Sequence, residues 1–273
     1  MNSRLWPLLL LAAACTARPV PERAARAASV PADSEIPSGP LGLSIRRGLA
    51  LVTATRESLP GHVGSALRCV SCHLDEGRRG PASWVGALGR FPQYRSRSGT
   101  VETLEYRING CFTRSLNGRA IPVDGPDMRD IVSYMAFLSR GQAVGVPPSA
   151  PDARWNALTP DPAAGGRFFI ATCARCHGAN GEGSDKAPPL WGDRSFNIGA
   201  GMARVRTAAA FVVANMPFDK AVTLTDQEAL DVAAYIDAQP RPDFPGKEND
   251  WPNGDPPPDV AYPTHAKLSR AHP

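Results

Sequence analysis

Two pentapeptides, Cys69-Val70-Ser71-Cys72-His73 and Cys173-Ala174-Arg175-Cys176-His177, carry four of the six cysteines and two of the five histidines. A Cys-x-x-Cys-His run is the attachment motif of c-type haem: both sulfurs form thioethers to the vinyl groups, and the adjacent imidazole ligates the iron. A zinc site would need both cysteine pairs to meet as one four-thiolate centre, and it would leave each histidine without a role. A thioredoxin-like redox pair would need a βαβ pattern, which the flanking sequence lacks. The expected chemistry is two covalently bound haem c groups, attached through Cys69, Cys72, Cys173 and Cys176, with His73 and His177 as iron ligands.

Each iron has a sixth position. For the second haem Met216 is the leading candidate, in a loop before the last helix and followed by Pro217; Met202 is its rival. A thioether there raises the potential and suits electron transfer. For the first haem the candidate is Cys111, the internal cysteine that neither motif uses, with Met128 and Met135 as rivals on a helix. A thiolate ligand pushes electron density onto iron, and the arginines around Cys111 favour the thiolate.

The elements that must position these groups repeat. Each half runs helix, haem motif, long loop, candidate ligand and capped helix. Cys111 follows His73 by 38 residues and Met216 follows His177 by 39, and Tyr134 and Tyr235 lie on the two closing helices. A helix is predicted from about 41 to 54, with Ile45, Leu49 and Val52 on one face. Pro126 opens a second helix, and Gly141 stops it. Thr225-Asp226-Gln227-Glu228 is a capping box that starts the last. The fold class expected is all-α, loop-rich, with two cytochrome c-like haem domains in tandem at 41–145 and 161–242. The stretch 146–160 is expected as a Pro/Ala-rich linker and 243–273 as a Pro-rich tail.

The N-terminus predicts export: Arg4, an apolar run from Leu5 to Ala14, then Cys15. Leu11-Ala12-Ala13-Ala14-Cys15 matches a lipoprotein cleavage signal, so residues 1–14 are expected to be removed, Cys15 lipidated, and 15–40 left as a flexible tether holding the protein to a membrane in the periplasm. With 42% hydrophobic residues the chain is an ordinary globular composition, and 273 residues suit two domains. The net charge of +4 is concentrated between Arg78 and Arg119, where eight arginines face only Glu102 and Glu105. In an exported chain this excludes nucleic acid as partner and points to a small anion.

Three segments carry a family resemblance: Phe91-Pro92-Gln93-Tyr94-Arg95-Ser96-Arg97, then Arg107-Ile108-Asn109-Gly110-Cys111-Phe112-Thr113-Arg114-Ser115-Leu116-Asn117-Gly118, then the second haem motif with Asn215-Met216-Pro217. Across roughly 41–240 the chain resembles the dihaem thiosulfate dehydrogenases. The resemblance implies joining of two thiosulfates into tetrathionate, reversibly in principle, with electrons passed to an acceptor cytochrome. It implies a catalytic haem 1 ligated by His73 and Cys111, a relay haem 2 ligated by His177 and Met216, and active-site places for Arg97, Arg107 and Ser115. In some members a lysine precedes the haem 2 methionine and exchanges with it; Asn215 stands there in this chain, so no such switch is expected. A dihaem electron carrier without substrate, or a sulfur-oxidation cytochrome of the SoxAX kind, would share the haems. The former leaves the Cys111–arginine cluster unexplained.

Overall fold

The computed structural model describes residues 29–145, 153–220 and 223–265. The expected signal 1–14, Cys15 and the linker stretch 146–152 lie outside the described residues.

The first half contains α1 (Gly39–Thr53), α2 (Thr55–Ser58), a short antiparallel hairpin of β1 (Gln93–Arg95) and β2 (Thr100–Glu102), α3 (Leu104–Gly110) and α4 (Pro126–Leu138). The second contains α5 (Pro162–Phe168), α6 (Ala174–His177), α7 (Val205–Asn215) and α8 (Asp226–Asp237). The fold is helical with long loops between helices, as expected, and the hairpin is its one departure among the described residues.

In each half the first helix packs across the last: α1 on α4, and α5 on α8. A glycine makes each close approach possible. A Cβ on Gly48 would lie 2.0 Å from the carbonyl oxygen of Asp130, and one on Gly165 would lie 1.9 Å from that of Asp231. The tyrosine of each closing helix meets a loop tryptophan, Tyr134 with Trp84 and Tyr235 with Trp191, both edge-to-face at 87° and 89°. The internal repeat read from the sequence is thus present in three dimensions. α4 begins with Pro126 at its first turn, and α8 is capped by Thr225, whose hydroxyl accepts from the Glu228 amide while Glu228 accepts from the Thr225 amide.

Three boundaries differ from the sequence reading. Residues 33–38, expected as tether, dock on the first domain: Ile36 is buried, and Asp33 and Glu35 pair with Arg78 and Arg140. Trp155, expected in the linker, is buried against α7 and α8 with Ala208, Ala209, Leu230 and Ala233. The Pro-rich tail is not a superficial wrap, since Asp250, Trp251, Tyr262 and Thr264 are all buried. An apolar indole removed from water repays the ordering of an otherwise irregular chain, which a composition-based reading does not register.

The halves also interlock. Phe196, Ala200 and Ala203 belong to the core of the first domain. Buried Asn197 donates from Nδ2 to the Thr113 carbonyl at 2.9 Å and to Asn117 Oδ1 at 3.1 Å. No described helix is long and apolar enough to cross a membrane.

Candidate haem centres and anion site

The two haem motifs sit in tight turns. Cys69–Ser71 form one turn of 3-10 helix, and the His73 amide donates back to the Cys69 carbonyl. The second motif follows a widened π turn, Phe169–Cys173, and ends in α6. The five described cysteines are all unpaired, although each motif could close a disulfide. In both halves the histidine ring is oriented the same way. His73 Nδ1 lies 2.5 Å from the Ala82 carbonyl and His177 Nδ1 lies 2.8 Å from the Pro188 carbonyl. A carbonyl partner puts the proton on Nδ1 and leaves Nε2 as the free donor atom, the arrangement a metal-ligating imidazole needs. Trp84 stacks against His73 at 4.7 Å between ring centres.

Cys111 opens a second π turn, Cys111–Ser115, directly after α3. The Leu116 amide reaches back five residues to the Cys111 carbonyl at 2.9 Å. A π turn widens the helix and redirects the side chains on it, and such turns gather at functional sites. The Cys111 thiol is hydrogen-bonded by Arg107 Nη1 at 3.1 Å and lies near enough to the His73 ring to be influenced by it. Its acidity is decided by opposing effects. Burial alone would raise the pKa, but the Arg107 charge, the His73 contact and the Arg107 hydrogen bond outweigh it and bring the thiol down to about 6. Burial instead pushes Cys69 and Cys72 up to about 12 and Cys173 up to about 11. Cys111 therefore differs in kind from these three: it is a stabilised thiolate facing the histidine of the first motif.

The eight arginines between residues 78 and 119 do not act as one field. Arg78 pairs with Asp33 and Glu76 and donates to Tyr134 Oη at 2.9 Å. Arg90 donates to the Val85 and Ser83 carbonyls, and Arg119 to that of Gly61. Arg114 forms a two-pronged pair with Asp250, 2.8 Å on each side. Arg79 lies over the Phe218 ring at 5.4 Å. Arg95, Arg97 and Arg107 remain, without an ion pair among the described residues. Arg95 ends β1, and Arg97 sits in the hairpin turn. Arg97 Nη1 donates to the Gly199 carbonyl at 2.7 Å, and its guanidinium lies over the Trp251 ring at 4.8 Å. Burial, with Arg204 and Arg114 nearby, lowers the Arg97 pKa to about 10, so it stays charged at neutral pH. Ser115 closes the π turn, half-buried, and its hydroxyl makes no hydrogen bond among the described residues.

Among the sulfurs that could face the second haem, Met216 packs with Cys173, Phe169, Trp191 and Tyr235 in one cluster. Met202 lies between the other two cores instead. Met128 and Met135 are buried on the inner face of α4. Asn215, beside Met216, is buried with its Oδ1 unpartnered. The residues present fit covalent haem in both halves: paired thiols, a histidine with Nε2 free, and a sulfur donor grouped with them. Arg241, whose Nε and Nη1 are buried without acceptors, could serve a haem propionate.

Sequence reasoning missed two contributors, Asn197 and the buried tail around Trp251. Neither carries a local signal, because both act on residues 80 or more positions earlier.

Comparison with known proteins agrees with this geometry. Residues 62–144 match the model of the SoxA/TsdA cytochrome c domain, and 160–236 match cytochrome c oxidase, cbb3-type, subunit III. The chain is 43% identical over 240 residues to a thiosulfate dehydrogenase of Psychrobacter arcticus, covering 85% of this chain and 73% of that protein. It is 44% identical to one from Allochromatium vinosum, over 80% of this chain and 86% of that one. The solved thiosulfate dehydrogenase (TsdBA) from Marichromatium purpuratum superposes with a TM-score of 0.73 at 39% identity, covering 81% of this chain and half of that one. The chain is thus a two-domain c-type cytochrome with two covalently bound haems, and it belongs to the thiosulfate dehydrogenase family.

Proposed function

We propose that this enzyme joins two thiosulfates into tetrathionate beside Cys111 and passes the two electrons to an acceptor cytochrome. The observation that carries the proposal is the buried Cys111 thiolate, held by Arg107 at 3.1 Å and near His73, with Arg95 close enough to feel its charge. An electron carrier needs none of these cations.

Cys69 and Cys72 would hold the first haem, with His73 and Cys111 as axial ligands; Cys173 and Cys176 would hold the second, with His177 and Met216. Each haem supplies one-electron acceptance, so two together match a two-electron oxidation. Bringing two dianions to within about 4 Å costs roughly 4 kcal/mol even in bulk water, four times the value for unit charges. Arg97 and Arg107 offset this with charge-assisted hydrogen bonds, and Ser115 can add another. The Cys111 thiolate forms an S–S bond with the sulfane sulfur of one thiosulfate, releasing two electrons and leaving Cys111-S–S–SO3⁻. The sulfane sulfur of the second thiosulfate attacks the sulfane sulfur of that conjugate, the one bonded to Cys111; that bond breaks, tetrathionate leaves and the thiolate returns. The same residues serve tetrathionate reduction in reverse. Export to the periplasm, with a lipid on Cys15 as membrane anchor, completes the proposal.

The test is turnover of purified holoprotein with thiosulfate and a one-electron acceptor, with tetrathionate quantified. Cys111→Gly should retain both haems and lose turnover. Unchanged turnover in that variant would refute the role of the sulfur.

A further inference from the structure

Arg204 lies immediately before α7, in the second domain, 97 residues after Arg107 in the chain. The turn just before it, Gly201–Ala203, packs on the Cys111–Ser115 turn, and Ala203 is buried in the core of the first domain. Arg97 and Arg95 both feel the Arg204 charge, and Arg204 in turn feels that of Arg107. Its Nε is buried and has no hydrogen-bond partner. Asp259 and Tyr262 of the tail are near enough to influence it, but it forms no ion pair within 4 Å among the described residues. Asp259 instead accepts from the Arg206 amide at 2.9 Å.

A buried guanidinium without an acceptor is costly, and it is costlier beside other guanidinium groups. Burial lowers the pKa of Arg95, Arg97 and Arg204, and so do neighbouring guanidinium groups: Arg107 and Arg204 for Arg95, Arg204 and Arg114 for Arg97, Arg107 for Arg204. An anion sharing the space would relieve that cost. Two thiosulfate dianions carry four negative charges, and Arg95, Arg97, Arg107 and Arg204 carry four positive ones.

We propose that Arg204 is a substrate-binding residue, so that the anion site beside Cys111 is built from both domains. The second domain would then bind thiosulfate as well as relay electrons. The proposal rests on the thiosulfate reading above, and the test separates the two. Thiosulfate binding to the ferric holoprotein is measured by calorimetry for wild type, Arg204→Gln and Arg204→Lys, alongside haem spectra, both midpoint potentials and steady-state turnover. Loss of one charge-assisted contact corresponds to about a tenfold or greater rise in Kd for Arg204→Gln. KM should rise with it more than kcat falls, both potentials should be unchanged, and Arg204→Lys should recover part of the affinity. Wild type that binds thiosulfate but does not turn over would sink the reaction and leave the anion site standing. An unchanged Kd in Arg204→Gln would overturn the proposal. So would a shifted haem potential with unchanged Kd, which would assign Arg204 to a haem propionate. Arg204→Lys keeps the charge and guards against misreading a folding defect.

Discussion

Arg114 and Asp250 meet as a two-pronged pair at 2.8 Å on both sides, although 136 residues separate them. Tyr262 donates to the same carboxylate at 2.6 Å, and the Arg114 guanidinium lies over Phe244 at 4.1 Å. The pair clamps the tail onto the π turn that carries Cys111, and the tail in turn lays Trp251 against Arg97. Removing one partner of such a buried pair strands the other charge, at about 3–5 kcal/mol. Asp250→Ala should therefore lower the thermal unfolding midpoint markedly and raise KM for thiosulfate as Arg97 loses its platform. A midpoint within error of wild type would show that the tail is not clamped.

Arg107 is the nearest cation to the Cys111 sulfur. Arg107→Gln keeps a hydrogen-bond donor but removes the charge. Turnover should fall by about a hundredfold or more, the scale for losing one preorganised donor at a reacting centre. Counting haems by pyridine haemochrome separates this from a loss of haem.

Met216 shares its cluster with Cys173 and Trp191, whereas Met202 does not. Loss of a thioether ligand lowers a haem potential. A redox titration of Met216→Gly should show one of two midpoints falling while the other stays in place. Met202→Ala should leave both unmoved.

Gly48 and Gly165 sit where helices touch. Gly48→Ala and Gly165→Ala should each destabilise by about 1–3 kcal/mol through overpacking, read from denaturant unfolding of the holoprotein. Equal effects in the two halves would confirm that one crossing geometry was duplicated.

Asp237 is buried beside Arg241, with one oxygen lacking a donor. Burial raises its pKa to about 7, against the opposing pull of Arg241. The folded state thus holds this proton more tightly than the unfolded chain. Its contribution to stability is full in the acid range and is lost as pH rises through about 7. Asp237→Asn should flatten that decline in the unfolding midpoint between the ordinary carboxylate range and neutrality. An unchanged slope would mean that another group governs it.

The haem motifs were legible in the sequence because attachment is local: two sulfurs and a histidine within five residues suffice, whatever surrounds them. The capping box at Thr225 and the Pro126 start were legible for the same reason, since each is satisfied within one turn. Cys111 stood out by elimination and by repeat spacing. Which arginines matter was not legible. Eight lie between Arg78 and Arg119, and a charge can be neutralised by any carboxylate that the fold brings near. Asp33 claims Arg78 and Asp250 claims Arg114, Arg90 and Arg119 turn to backbone carbonyls, and Arg79 lies over Phe218, which leaves Arg95, Arg97 and Arg107. That Met216 packs with Cys173 and Met202 does not is likewise a fact of packing that no local signal displays. The Pro-rich tail shows the limit most clearly. Its composition suggests solvated chain, yet Trp251 and Tyr262 find a buried place on the first domain, and long-range contacts of that kind leave no period or spacing for a sequence to display.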